Sequence, residues 1–157
     1  MITGSDHFSF TVSNLEEAIH FFCDVLGLKA NPIVERKGSF PEKLVGVPAA
    51  GYRLCNVIMP DNVVLELMEY TYPKGTTLDL STWNTGVAHV AFKVDDIQKT
   101  YEELTQKGIK FRDEPFIRPL SDPKNPQGVL GYIKGPDNIT VELIGPMKKA
   151  VLANTIL

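Results

Sequence analysis

Hydrophobic and polar positions alternate along this chain in a pattern that is written twice. In Asp6-His7-Phe8-Ser9-Phe10-Thr11-Val12, and again in Ala88-His89-Val90-Ala91-Phe92-Lys93-Val94, a large apolar residue returns at every second place, the period of a half-buried strand. After each segment the period lengthens. Leu15, Ala18, Ile19, Phe22 and Leu26 recur at helical spacing, as do Ile97, Thr100, Tyr101 and Leu104. Asn14 with Glu17 three residues on makes a capping box, Asp96 can cap the second helix, and Gly27 and Gly108 provide the stops. Alternation then predicts strands over Lys29 to Arg36, Tyr52 to Met59 and Val63 to Tyr70, and over Lys110 to Glu114, Gly128 to Lys134 and Ile139 to Ile144.

The last strand of each set is introduced by the same phrase, Pro60-Asp61-Asn62-Val63-Val64-Leu65-Glu66-Leu67 and Pro136-Asp137-Asn138-Ile139-Thr140-Val141-Glu142-Leu143. His89 follows His7 by 82 residues and Glu142 follows Glu66 by 76, so the copies differ only by a short insertion. Self-similarity of this length points to duplication of one supersecondary unit. The expectation is an α+β chain, 1–157, forming a single domain of two tandem βαβββ modules: 5–72, a linker over 73–85, 86–146, and a C-terminal tail over 147–157.

At 157 residues, 43% hydrophobic, the chain is long enough for a full core. A net charge of −3 without a basic run gives no electrostatic support to a nucleic-acid or anionic-membrane partner. No apolar stretch reaches the roughly 20 residues that span a bilayer, and Met1 to Ser5 is too short and polar for a signal peptide, so a cytoplasmic location is expected. Cys23, on a helix, and Cys55, in a strand, fit small buried thiols of a reducing compartment.

The strand period also sorts chemistry from packing. His7 shares a face with Ser9 and Thr11, and Phe8, Phe10 and Val12 point the other way, where the helix can cover them. His89 lies with Ala91 and Lys93; Glu66 lies with Val64 and Met68; Glu142 lies with Thr140 and Ile144. His7, Glu66, His89 and Glu142 thus form a repeat-matched set on faces that the helices do not need. A buried carboxylate requires a partner, and one divalent cation compensates two. Imidazole and carboxylate donors suit zinc, nickel, cobalt, manganese or iron, and four ligands in an octahedral site leave two places for water or substrate.

The doubled βαβββ order with these four residues resembles the vicinal oxygen chelate superfamily, which includes glyoxalase I, methylmalonyl-CoA epimerase, extradiol dioxygenases, fosfomycin-resistance proteins and bleomycin-binding proteins. The resemblance runs from about Asp6 to Gly145. It implies curved mixed sheets enclosing a metal-centred cleft, with helices on the outer faces. It also implies a lyase or isomerase acting on a small substrate with adjacent oxygens, through proton abstraction and a metal-stabilised enolate. Glu142 is then the first candidate base, with Glu66 acting on the other face, and one divalent metal ion is the cofactor. The alternatives are a non-haem iron ring-cleaving dioxygenase, using His7, His89 and Glu142, and a metal-free small-molecule binder. Thr11 stands where bacterial glyoxalase I carries an arginine for glutathione, and Tyr70 where it carries an asparagine. The catalytic glutamate of the epimerase would fall near Ala49, with Glu42 the nearest acid. The resemblance further implies a homodimer, in which the tail from Met147 offers a contact.

The expected pocket lining comprises Ser9, Thr11, Asn56, Met68, Tyr70 and Arg118. Alternation sets Arg53 opposite Tyr52 and Asn56 and leaves open which side faces the cleft. Arg118 and Lys124 either meet a substrate carboxylate or phosphate or are solvated surface charges. Ser39 is a candidate cap for a short helix over the cleft, Trp83 is expected at a module or subunit contact, and His20 is expected on an exposed helix face.

Overall fold

A computed structural model of the chain describes residues 1–117 and 129–146. The chain divides into two compact units, Met1–Leu78 and Asp79–Leu157. Each is a mixed sheet with helix on one face, and neither sheet closes into a barrel.

In the first unit the order is β1 (His7–Thr11), α1 (Leu15–Ile19), a π-helical turn (His20–Val25), β2 (Lys29–Ala30), β3 (Val34–Arg36), α2 (Ser39–Val45), β4 (Gly51–Ile58) and β5 (Val64–Tyr72). The sheet runs β1-β5-β4-β2, with β3 also on β4; β1 is parallel to β5 and the remaining pairs are antiparallel. The second unit contains β6 (His89–Lys93), α3 (Ile97–Gln106), β7 (Phe116–Ile117), β8 (Val129–Lys134), a 3-10 turn (Pro136–Asn138) and β9 (Thr140–Gly145), in the order β6-β9-β8-β7. Here too the first strand is parallel to the last, β6 beside β9.

Local chemistry explains where the strand expectations shift. The strand expected over Lys29 to Arg36 is broken into β2 and β3 at Asn31-Pro32-Ile33, because Pro32 has no N–H for the ladder. Likewise Lys110 to Glu114 contributes only a bridge from Phe111 to Ile133, and pairing resumes beyond Pro115 at β7. The repeated turn works because Asn and Asp tolerate positive φ: Asn62 lies at 62°, Asp137 at 51° and Asn138 at 65°.

Asn14 caps α1 as expected, its Oδ1 accepting from the Glu17 N–H at 3.1 Å while its Nδ2 donates to Glu17 Oε1. Asp96 caps α3 through the Gln98 and Lys99 N–H groups. The stripe after Ala18 departs from regular helical phase. The π-turn closes through Leu26 N–H to Phe21 O, and the longer turn brings both Phe21 and Phe22 into the core. Ser39 is not a cap but the first residue of α2, which is entered through Gly38 at φ 85°.

Helix α1 packs on β4 and β5, and α3 on β8 and β9. The buried residues alternate accordingly: Cys55, Val57, Leu65 and Leu67 under α1, and Val129, Ile133, Val141 and Leu143 under α3. Phe8 is an exception to the expected covering. It is 58% exposed, because β1 is an edge strand and α1 crosses the strands inside it. Trp83 is also exposed, as is His20, which pairs with Asp24 at 2.7 Å. Cys23 and Cys55 are free thiols, and the Cys55 Sγ–H donates to Asn31 O. Among the described residues no helix is long and apolar enough to cross a membrane.

Candidate active site

The face of each sheet opposite its helix carries the candidate ligands, and strand register determines their neighbours. In the first unit Glu66 is paired with Ser9 on β1 and Asn56 on β4. Across β4 and β5 the same face continues through Leu54 and Met68 to Tyr52 and Tyr70, whose rings lie 5.7 Å apart. Tyr52 and Asn56 therefore face the site, and Arg53 faces α1, where it pairs with Glu16 and Glu69.

His7 Nε2 lies 3.7 Å from Glu66 Oε1, and its Nδ1 lies 2.7 Å from Asp6 Oδ1. The hydrogen bond to Asp6 raises the imidazole pKa, with the Glu66 and Asp6 charges acting in the same direction and burial opposing them. Burial chiefly, then Glu66 and Tyr70, pushes the Tyr52 phenol up. Asn56 Oδ1 is enclosed and meets no hydrogen-bond partner among the described residues.

In the second unit His89 Nε2 lies 3.2 Å from Glu142 Oε2. Glu142 is paired with Ala91 on β6 and Tyr132 on β8. The Tyr132 ring lies 5.8 Å from the His89 ring, and the Arg112 guanidinium stands 5.5 Å over Tyr132. Thr140, the register partner of His89, is buried and accepts from Arg112 Nη2 at 2.9 Å.

Of the expected site residues, the structure joins His7 with Glu66 and His89 with Glu142, and it places Ser9, Thr11, Asn56, Met68 and Tyr70 on the Glu66 face. Arg118 and Lys124 lie outside the described residues. Glu42 is turned to its own loop, accepting from the Ala49 N–H at 3.1 Å. Arg112, Tyr132 and Thr140 are additional members of the second face. Tyr132 follows Asn56 by the same 76 residues that separate the glutamates, so the repeat carried its signal. Arg112, brought in from a loop, left none.

The donor chemistry fits a divalent cation. Each repeat directs an imidazole nitrogen toward a carboxylate oxygen, and the two carboxylates are 14% and 10% exposed with no lysine or arginine paired to them among the described residues. His7 holds a second carboxylate on its other nitrogen, the arrangement that orients a ligating histidine. Among the described residues no group of three or more His, Cys, Asp or Glu is gathered.

A probable lactoylglutathione lyase of Synechocystis sp. is 29% identical over 143 residues, covering 91% of this chain and 95% of that protein. A glyoxalase family protein from Bacillus cereus superposes with a TM-score of 0.80 at 23% identity, over 94% of this chain and 96% of its own. The fosfomycin resistance protein FosX from Listeria monocytogenes, solved with Mn(II) and sulfate, gives a TM-score of 0.58 at 18% identity over 94% and 96% of the two chains. Longer relatives also match: the chain spans 42% of a lactoylglutathione lyase of Arabidopsis thaliana. The family model described as Glyoxalase/Bleomycin resistance protein/Dioxygenase superfamily matches residues 4–143, and the chain belongs to that superfamily.

Proposed function

We propose that this chain is a divalent-metal-dependent lyase or isomerase that removes a proton next to a carbonyl of a small substrate with adjacent oxygens. The observation that supports it is the matched pair in each repeat, His7 with Glu66 at 3.7 Å and His89 with Glu142 at 3.2 Å. The relative from Synechocystis, named a lyase and matched over nearly its whole length, supports an enzyme of the lyase type.

The residues that would hold the metal are His7, Glu66, His89 and Glu142. A bound divalent cation supplies Lewis-acid stabilisation of the negative charge that develops on a substrate oxygen. Glu142 serves as the base. It is enclosed beside Tyr132, which reduces its hydration, and His89 holds its other side. Glu66 returns or removes a proton on the opposite face. Asp6 fixes the His7 ring through Nδ1 and leaves Nε2 toward Glu66. Tyr52, Leu54, Met68 and Tyr70 form the partly apolar wall that excludes water. Thr11, at the place where bacterial glyoxalase I carries an arginine for the glutathione carboxylate, and Tyr70, at the place of its usual asparagine, argue against a glutathione hemithioacetal as the substrate.

Elemental analysis of the untagged protein before and after chelation tests the reading. About one zinc, nickel, cobalt or manganese per chain supports it, together with solvent deuterium appearing next to the carbonyl of a turned-over 2-oxo or acyl compound. Metal retained at full stoichiometry in folded His89→Ala or Glu142→Ala overturns the ligand assignment. Iron that reacts with oxygen would indicate a dioxygenase, and failure to take up any metal a binding protein.

A further inference from the structure

We propose that Arg112 is an anion anchor, which fixes a carboxylate or phosphate group of the substrate beside the His89–Glu142 pair. The chemical class of the substrate is then an anionic small molecule. This deepens the reading above, because it names what the same site holds.

The position of the guanidinium is set from three sides. Nη2 donates to Thr140 Oγ1 at 2.9 Å, Nη1 donates to Thr82 Oγ1 at 3.3 Å, and the cation lies over the Tyr132 ring. The backbone is held as well, the Arg112 N–H donating to Tyr132 O at 2.8 Å. Two hydroxyls and a ring face position a guanidinium without neutralising it. Arg112 is exposed, and among the described residues no carboxylate lies within ion-pair distance, although Asp113 and Glu114 follow it in the chain. Five N–H donors in a rigid fork leave several for a planar or tetrahedral anion, and a fork already in place loses little freedom on binding.

Its location ties the anchor to the chemistry. Tyr132 and Thr140, which hold Arg112, are the register partners of Glu142 and His89. The residues that hold the fork are therefore the strand neighbours of the base and of its histidine. Alternation puts Lys93 and Lys134 on this face too, against Glu142 as its one carboxylate on the described strands. The two lysines add positive charge to the surroundings of the fork, which favours an anion there.

The test uses the full chain and needs no turnover. The side-chain Nε–Hε resonances of arginine are followed by NMR while inorganic phosphate or, separately, acetate is added at constant ionic strength against chloride. A saturable shift of the Arg112 Nε–Hε signal and of the Tyr132 backbone N–H signal is expected; read at Tyr132, affinity should weaken about tenfold to a hundredfold in Arg112→Met and less in Arg112→Lys, which keeps the charge without the fork. Preference for phosphate or for acetate identifies the anionic group. No saturable shift with either anion overturns the proposal, as does an unchanged affinity, read at the Tyr132 backbone N–H, in a folded Arg112→Met chain.

A second readout compares solvent deuterium exchange of a 2-oxo acid with that of its methyl ester. Arg112→Met should raise KM for the acid about tenfold or more and leave the ester unchanged; equal effects on both would assign Arg112 a structural role. Anion binding that persists when His89→Ala or Glu142→Ala leaves metal uptake intact would refute the metal reading alone. Absent anion binding with normal metal uptake would refute the anchor alone.

Discussion

Glu69 separates what holds the first unit together from what it does. This carboxylate lies on β5 only three residues from Glu66 but on the opposite face, under the start of α1. It accepts from Lys74 Nζ at 2.9 Å, Arg53 Nη1 at 3.3 Å and the Leu15 N–H at 3.3 Å. These donors, the Lys74 hydrogen bond foremost, hold its pKa below the ordinary glutamate value of 4.5. The perturbation is Glu69→Gln, which keeps the shape and removes the charge. Lys74 is 64% exposed and its pair is screened, so it contributes at most about 1 kcal/mol. A negative charge at the first helical N–H adds about 0.5 kcal/mol, and the Arg53 contact, shared with Glu16, a similar amount. The sum is about 2 kcal/mol, or roughly 4–8 °C in Tm for a chain of this size.

Because the folded pKa of Glu69 is depressed, its contribution is complete above the unfolded value near 4.5 and is lost as the pH falls through the folded value. Urea and thermal denaturation of both proteins at pH 7 and at a series of acid pH values measure this. The gap should be constant at neutral pH and close on acidification. Metal uptake should be unaffected, because Glu66 faces the other way. A gap that does not narrow in acid, or no gap at pH 7, would refute the reasoning.

Three further outcomes are expected. Asn14→Ala removes the side-chain acceptor for the Glu17 N–H and should cost about 1 kcal/mol in chemical denaturation, while Asn14→Asp should retain most of the stability. Gly145→Ala would press a Cβ onto the Val94 carbonyl oxygen and within 2.7 Å of Val94 Cγ2, so a loss of about 2–3 kcal/mol is expected in the same assay. Saturating metal should raise Tm in calorimetry, by about 2.7 kcal/mol of stabilisation at a hundredfold excess over Kd, and Glu142→Ala should abolish that response.

The strand faces that carry the candidate site were legible because β-structure is read with period two. Once His7 and Glu66 are assigned to strands, alternation alone separates Ser9, Val64 and Met68 from Phe10, Leu65 and Leu67, and the repeat copies that assignment onto His89 and Glu142. Caps were equally readable, since Asn14 and Asp96 act within one helical turn. Strand breaks were less so: Pro32 was present in the sequence, but the alternating residues on either side of it carried the expectation across.

Other features depend on contacts between residues distant in the chain. The π-turn that turns Phe21 as well as Phe22 inward answers to the surface beneath it rather than to its own propensity. Which side of β4 carries the candidate-ligand face depended on its pairing with β5, which aligns Asn56 with Glu66 and leaves Arg53 for Glu69. Arg112 joined the second face only because Phe111 bridges to Ile133, setting the guanidinium over Tyr132 and against Thr140. By itself the sequence determined the repeated pattern, the α+β character, a helix on one face of each sheet and which four residues are candidate ligands, because these rest on periodicities and short-range chemistry repeated within one chain. Tertiary structure alone decided which imidazole faces which carboxylate and which cation stands beside them, because strand register and loop path follow from burial summed over the whole sheet.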